Sequence, residues 1–276
     1  MAMHKNKFFR NTLGMLASFV VFTGCSSDGP VIEQPEQQYY EIAQSRMRAK
    51  NYFSAIDALE MIVTRYPFGS YAEQAQSELI YVHFMNGDDE AAHAATEKFI
   101  RLHPRHPNID YAYFMKGLSS YTNDTNLLVR VTNTDLSNRD ISGAKKSFAE
   151  LSEFLLRFPQ SEYSNYAKKR SIYLRNMIAR NELAAADYYL RREAYIAALR
   201  RAKYVLEHIP NSSENLRALN ILKEAYENLG YLDLLEDVEK TIVINYPNQE
   251  LEDSKTESRG FWPFNREAPK PPQQES

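Results

Sequence analysis

The chain of 276 residues contains almost no cysteine, since Cys25 is the only one. A chain with one cysteine forms no internal disulfide, so its stability must come from apolar packing, and a body of this length can bury a substantial core. Glycine is also scarce, at nine residues, whereas alanine, leucine, glutamate and arginine are common. This composition favours helix.

The chain also lacks the excess of positive charge that nucleic-acid binding requires. Its formal net charge is −3, and about −6 once the three basic residues near its start, Lys5, Lys7 and Arg10, are set aside. The sequence therefore predicts no nucleic-acid partner. It also predicts no polybasic attraction to anionic lipid, so any attachment to a membrane must have another source.

No apolar run is long enough to span a membrane, and the most hydrophobic stretch is residues 12–23. It follows basic residues and ends in small ones, which is typical of a secretory signal peptide. Residues 22–25, Phe-Thr-Gly-Cys, resemble the lipobox of bacterial lipoproteins, where the signal is cut before the cysteine and the cysteine is acylated. We predict a signal peptide over residues 1–24, then a lipidated Cys25 and a flexible tether over residues 25–35. An ordinary signal peptide with a chance cysteine is the alternative.

Acylation of Cys25 would fix the location of the protein. Two or three acyl chains give stable anchoring, whereas a single chain binds only marginally. The next residue is Ser26 rather than aspartate, and by resemblance to lipoprotein sorting this favours the outer membrane over retention in the inner one. We expect a lipid-anchored protein of the outer membrane that faces the periplasm.

Proline marks an internal repeat between residues 36 and 248. At five places an aromatic, imidazole or aliphatic residue precedes a proline, and these prolines are Pro67, Pro104, Pro159, Pro210 and Pro247. Twelve residues before each proline the side chain is small in four of the five cases, and five residues before each it is always apolar. A small residue lets two helices approach closely, a large apolar residue packs between units, and proline ends the second helix.

Such units resemble the tetratricopeptide repeat, a helix–turn–helix of about 34 residues. The predicted fold is all-α, a right-handed superhelical stack of about five tetratricopeptide-like helix–turn–helix repeats. A non-repetitive helical bundle is the alternative. The tail over residues 249–276 is polar and proline-rich, and we predict that it is disordered apart from an aromatic segment at 261–264.

Local signals place turns and loops within the body. Gly87 and Gly230 mark turns, and Ser70–Glu73 has the pattern of a capping box that begins a helix. The polar segment at about 122–140 predicts a loop inserted into the third unit. An unbroken helical pattern over residues 161–192 predicts a long first helix in the fourth unit.

No catalytic constellation is present in the sequence. It has no second cysteine to share a metal ion, no glycine-rich phosphate loop and no nucleophile elbow. His83 and His93 lie about one helix and one turn apart, so a metal site is an alternative there, but a packed surface pair is favoured. We predict no cofactor, no metal and no enzymatic activity, and we expect a binding scaffold.

Fixed strings along the body resemble the BamD family, the tetratricopeptide-repeat lipoproteins of the outer-membrane β-barrel assembly machinery. They occur in order over residues 25–247 and include 65–69 (Arg-Tyr-Pro-Phe-Gly), 99–104 (Phe-Ile-Arg-Leu-His-Pro), 106–111 (His-Pro-Asn-Ile-Asp-Tyr), 138–140 (Asn-Arg-Asp) and 186–189 (Ala-Asp-Tyr-Tyr). The resemblance implies a scaffold of this machinery that promotes insertion of proteins into the outer membrane. The tail departs from the shorter members of the family.

The resemblance also implies which regions bind partners. Units one and two are the family's candidate site for the C-terminal segments of unfolded outer-membrane proteins. The last units dock the periplasmic domain of the barrel subunit BamA, together with the other lipoproteins of the machinery. The family's functionally important arginine matches Arg201, with Arg200 next if the register slips. A solvated helix charge is the alternative for Arg201.

A receptor for aromatic-rich C-terminal segments needs aromatic wells on a rigid stack. The aromatic candidates in units one and two, with Arg65 nearby to meet a carboxylate, are Tyr52, Tyr66, Phe68, Tyr71 and Tyr81. Packing between helices is the alternative for each. The rival functions are another repeat lipoprotein, such as a pilotin or a cell-division coordinator, and an envelope enzyme with an unrecognised site.

Overall fold

The computed structural model describes residues 35–121, 141–247 and 268–273, and within these residues the chain forms ten α-helices and no strand. In chain order they are α1 Glu36–Arg48, α2 Tyr52–Arg65, α3 Ala72–Asn86, α4 Asp89–Leu102, α5 Ile109–Ser119, α6 Ser142–Arg157, α7 Ser164–Leu190, α8 Tyr195–His208, α9 Asn215–Leu229 and α10 Leu232–Asn245. The predicted signal peptide, Cys25, the tether up to residue 34, the inserted loop and most of the tail lie outside the described residues.

The helices form five consecutive pairs, which we number as units one to five. Each helix packs against the next one in the chain, including α5 and α6, which the undescribed residues 122–140 separate in sequence. In addition α3 packs against α5, and α7 against α9, so first helices of neighbouring units lie side by side. The predicted all-α fold of tetratricopeptide-like repeats is confirmed.

The repeated residues explain why the units stack. In units one to four the small residue is fully buried, and the large apolar residue two turns later is fully or almost fully buried. The small residues are Ala55, Ala92, Ser147 and Ala198, and the large ones are Ile62, Phe99, Phe154 and Val205. In unit five Leu235 and Ile242 are only partly buried, because no later helix among the described residues covers α10.

Two glycines end the first helices of their units. Gly87 closes α3 with φ 93°, and Gly230 closes α9 with φ 71°. Both lie in the left-handed region, which glycine enters without the steric cost that a Cβ atom brings. The turns predicted at these positions are confirmed. The long helix predicted in unit four is also confirmed, since α7 runs for 27 residues.

The start of α3 differs from the predicted capping box. Tyr71, not Ser70, is the N-cap residue, and it makes no side-chain capping bond. The amides of Ser70 and Tyr71 instead donate to the two carboxylate oxygens of Glu36 on α1, at 3.1 and 2.7 Å. The predicted capping box is wrong because the carboxylate of Glu36 accepts these amide hydrogen bonds. Glu73, the other residue of the predicted box, lies 3.2 Å from the His103 ring.

Replacing Glu36 by alanine is expected to lower the free energy of unfolding by about 1 kcal/mol, the usual cost of losing a helix cap. The change leaves two amide donors at the start of α3 without their acceptor. Urea unfolding of the purified protein measures the effect. Glu41→Ala is the matched control, since Glu41 lies on the same helix and accepts only an exposed bond from Gln37. Equal losses in the two variants would contradict a capping role.

Candidate functional site

The first candidate surface lies between α1 and α3 and centres on a buried carboxylate. The side chain of Glu78 is 0% exposed. Its Oε1 accepts hydrogen bonds from the Tyr40 hydroxyl at 3.2 Å and from Gln74 Nε2 at 3.1 Å, and its Oε2 accepts one from Gln44 Nε2 at 2.7 Å. We call these four residues the Glu78 cluster. Burying a carboxylate is costly unless donors or cations hold it, so these bonds stabilise the charge.

Helical spacing builds the cluster. Tyr40 and Gln44 are one turn apart on α1, and Gln74 and Glu78 are one turn apart on α3, so each pair lies on one side of its helix. Burial raises the pKa of Tyr40, and the Glu78 carboxylate raises it further, which keeps the hydroxyl a donor. None of these four residues is predicted from the sequence. The two polar pairs were the available signal, but a pattern within one helix does not identify the helix that it faces.

Part of the tail lies on this surface. Lys270 Nζ donates to Gln44 Oε1 at 2.8 Å and lies 4.0 Å from Glu78 Oε1. The next residue, Pro271, is buried. The sequence predicts a tail that is disordered apart from residues 261–264, whereas residues 268–273 lie against the helical body.

The predicted substrate residues separate into distinct groups. Tyr71 lies beside the Glu78 cluster, because its ring stacks on Tyr40 with the ring centroids 4.5 Å apart. Tyr52 and Tyr81 contact each other edge-on, with centroids 6.1 Å apart. Burial and a hydrogen bond with Tyr52 raise the pKa of Tyr81 to about 12. Both rings pack against the core of the first units, so packing accounts for much of their surface.

The remaining predicted residues lie where α2 ends and the turn to α3 begins. Arg65 is exposed, Tyr66 is half-buried, and Phe68 is 100% exposed. The same turn reaches the start of α1 through Glu36. The structure therefore brings Tyr71 to the Glu78 cluster and leaves Arg65 and Phe68 as exposed groups on the adjoining turn.

A second candidate surface contains Arg201 of α8. Its Nη1 lies 2.7 Å from Glu182 Oε2 on α7, and Lys145 Nζ of α6 lies 2.9 Å from Oε1 of the same carboxylate. Glu182 is 6% exposed, whereas Arg201 is 47% exposed. Burial alone would raise the pKa of Glu182, but the bonds from Lys145 and Arg201 outweigh it and lower the pKa. Arg201 therefore already has an acidic partner within the chain.

Other features of the last units face solvent. Arg200 is exposed beside Arg201. An ion pair joins Arg217 of α9 to Asp187 of α7. The last helix carries several large apolar side chains that the described residues leave exposed, and we call them the α10 apolar residues: Leu232, Leu234, Val243 and Ile244.

The two histidines considered for a metal site have other surroundings. His93 Nε2 lies 2.8 Å from Glu150 Oε1, and burial lowers the pKa of His83. Across residues 35–121, 141–247 and 268–273, no group of three or more His, Cys, Asp or Glu residues is placed to hold a metal ion. No helix in the same ranges is both long and apolar enough to cross a membrane.

Comparison with known proteins places the chain in a family. The family model YfiO, described as an outer membrane lipoprotein, matches residues 32–242. The chain belongs to this family. Among curated relatives, the outer membrane protein assembly factor BamD of Vibrio cholerae is 37% identical over 238 residues, covering 86% of this chain and 98% of that protein. The protein of the same name from Xylella fastidiosa strain 9a5c is 35% identical over 256 residues, covering 90% of this chain and 84% of that protein.

A more distant relative has the same name. The BamD of Neisseria meningitidis strain Z2491 is 31% identical over 235 residues, covering 83% of this chain and 88% of that protein. Among solved structures, the crystal structure of PilW, a type IV pilus biogenesis factor, is 13% identical with a TM-score of 0.33 and covers 79% of this chain and 96% of that one. That similarity is too low to support an inference.

Proposed function

We propose that this protein is an outer membrane protein assembly factor, a lipid-anchored periplasmic scaffold with no catalytic role. In this proposal it binds C-terminal segments of unfolded outer-membrane proteins at units one and two. It binds the periplasmic domain of the barrel subunit BamA, with the other lipoproteins of the machinery, at its last units. The observation that carries the proposal is membership of the outer membrane lipoprotein family over residues 32–242, among relatives named as assembly factors.

The stacked rings of Tyr40 and Tyr71 support the substrate part of the proposal. They offer an aromatic surface on which another ring can stack, and such contacts contribute beyond the area that they bury. The buried carboxylate of Glu78 beside them repels a second carboxylate. A substrate that ends in an aromatic residue would therefore place its ring near Tyr71 and its terminal carboxylate away from Glu78. Arg65, exposed at the end of α2, is our candidate for meeting that carboxylate.

The α10 apolar residues support the partner part. Exposed large apolar side chains grouped on one terminal helix are typical of protein interaction sites. Leu232 and Val243 are three helical turns apart, so they lie on the same side of α10. The first four units cover the corresponding helix with the next unit. A partner domain seated on α10 would bury these side chains in the same way.

Replacing Tyr71 by alanine is expected to weaken binding of an aromatic-ended C-terminal peptide by about tenfold, as for loss of an aromatic anchor. Fluorescence anisotropy of a labelled peptide with the purified lipoprotein in detergent measures the change. Tyr204→Ala is the matched control, because Tyr204 lies in unit four and also loses a stacked ring partner, His208 at 4.6 Å. Photo-crosslinking of the same peptide should label α1 and α3. Labels confined to units four and five would contradict the substrate site.

A further inference from the structure

We propose that residues 268–273 are a built-in ligand of the Glu78 cluster, which competes with incoming segments for the same surface. The cluster would then be a site for an extended, proline-rich peptide that carries a lysine. This inference deepens the proposed function and rests on it in one respect, namely that substrate segments use the surface near Tyr71.

Residues 268–273 contact the cluster through the side chain of Lys270. Lys270 reaches the cluster with one hydrogen bond, to Gln44 at 2.8 Å, and one ion-pair contact, to Glu78 at 4.0 Å. Gln44 is 226 residues away from Lys270 in the sequence. A cation suits this place because Glu78 is completely buried and its other partners, Tyr40, Gln44 and Gln74, are neutral. A cationic ligand offsets the cost of burying the charge.

Apolar residues of the segment stand on both sides of the lysine. Pro271 is buried. Ala268 packs against the larger core cluster of the body. The segment therefore has one packed and one buried apolar residue on either side of its charged contact, which favours a single register on the body.

The segment is rich in proline. Pro269, Pro271 and Pro272 surround Lys270. Proline restricts the free chain to extended conformations, so less conformational entropy is lost when the segment binds. The site therefore favours proline-rich peptides over flexible ones that carry the same charge.

The expected strength follows from tethering. A segment in the same chain faces its site at an effective concentration of millimolar order. If the segment occupies the site about nine-tenths of the time, its affinity as a free peptide is on the order of 0.1 mM, and a competitor binds about tenfold more weakly than to the open site. These two magnitudes are what the experiment measures.

The test uses the full-length lipoprotein in detergent in three forms, which are the wild type, an undocked variant and a control. The undocked variant is Lys270→Ala with Pro271→Asp, which removes the cation and puts a charge at the buried position of Pro271. The control is Gln273→Asp, which adds the same acid at an exposed position of the same segment. Thermal melting of all three forms confirms that the body stays folded.

Two labelled probes are titrated into each form. The first is a synthetic peptide of residues 265–276, which should bind the undocked variant with a dissociation constant on the order of 0.1 mM and bind wild type and control at least fivefold more weakly. The second is the aromatic-ended peptide, which should bind the undocked variant about tenfold more tightly than the other two.

The outcomes separate the two claims. Equal binding of the tail peptide to all forms, or no binding to any, overturns the built-in ligand. Tail-peptide binding as expected, with equal and measurable binding of the aromatic-ended peptide to all forms, overturns the competition. Tail-peptide binding as expected, with no binding of the aromatic-ended peptide to any form, supports the built-in ligand and contradicts the proposed substrate site.

Discussion

Replacing Cys25 by alanine is expected to remove nearly all of the protein from the outer membrane and leave it unprocessed or in the soluble periplasm. The expectation follows from the energetics of acyl chains. Each buried methylene contributes about 0.8 kcal/mol, and two or three chains on one residue give an anchor that does not readily dissociate. The part of the chain after Cys25 carries a net negative charge, so attraction to anionic lipid does not replace the lost chains.

Membrane fractionation measures the effect, with a wash in alkaline carbonate to strip protein that is held only by partners. Ser26→Ala is the matched control, because it changes the neighbouring residue and keeps the thiol that we predict to be acylated. Mass spectrometry of the control should detect the acyl groups. If the Cys25→Ala protein stays in the washed outer-membrane pellet, acylation is not the anchor.

The repeat architecture could be predicted from the sequence because its signals are local. Proline follows the end of the second helix in each unit, and the small and large apolar residues before it are set by helical periodicity within that one helix. Gly87 and Gly230 are equally local, since the left-handed turn that each adopts depends on one residue's conformation. The capping box failed for the opposite reason. The acceptor for the amides of Ser70 and Tyr71 is Glu36, which is more than thirty residues earlier.

The candidate sites were predicted less completely because their contacts are long-range. Tyr40 and Gln44 meet Glu78 across 38 and 34 residues, and Lys270 meets Gln44 across 226. The low-complexity composition of residues 268–273 indicates that they cannot form a core of their own. It does not indicate whether a surface elsewhere holds them. The sequence therefore located Tyr71 by its residue type and missed the carboxylate beside it.

Arg201 illustrates how a partner within the chain changes an expectation. The resemblance assigns it to docking, and on that basis a truncated side chain should weaken partner binding while the fold survives. The structure adds that Arg201 and Lys145 together hold the buried Glu182. A change at Arg201 therefore acts on the fold as well as on any docked acid, and melting and docking must be measured on the same variants.

The ion pairs of Glu182 make the stability of the fold depend on pH. Because the pKa of Glu182 in the folded protein is below its ordinary value of 4.5, the ion pairs stabilise the fold fully above that value. The contribution is lost as the pH falls through the lowered pKa. Glu182→Gln should therefore reduce stability at neutral pH and reduce the loss of stability on acidification.

Reversing the charge at Arg201, by Arg201→Glu, is expected to lower the free energy of unfolding by roughly 2 kcal/mol. It replaces an attractive contact to a buried carboxylate with a repulsive one, and breaking a fully buried pair costs about 3–5 kcal/mol, so the half-exposed position of Arg201 reduces the effect. Arg200→Glu is the matched control, since the same reversal at the adjacent exposed residue should cost less than about 0.5 kcal/mol. Urea unfolding measures both, alongside co-purification with the barrel subunit.

In the double variant Arg201→Gln with Glu182→Gln, two amides replace the ion pair, so the fold should recover most of the lost stability. An acid on the partner would still lack the guanidinium of Arg201. Failure of that stable double variant to co-purify supports docking through Arg201, and normal co-purification assigns Arg201 to the fold alone. Loss of co-purification by Arg200→Glu at unchanged stability would transfer the docking role to Arg200.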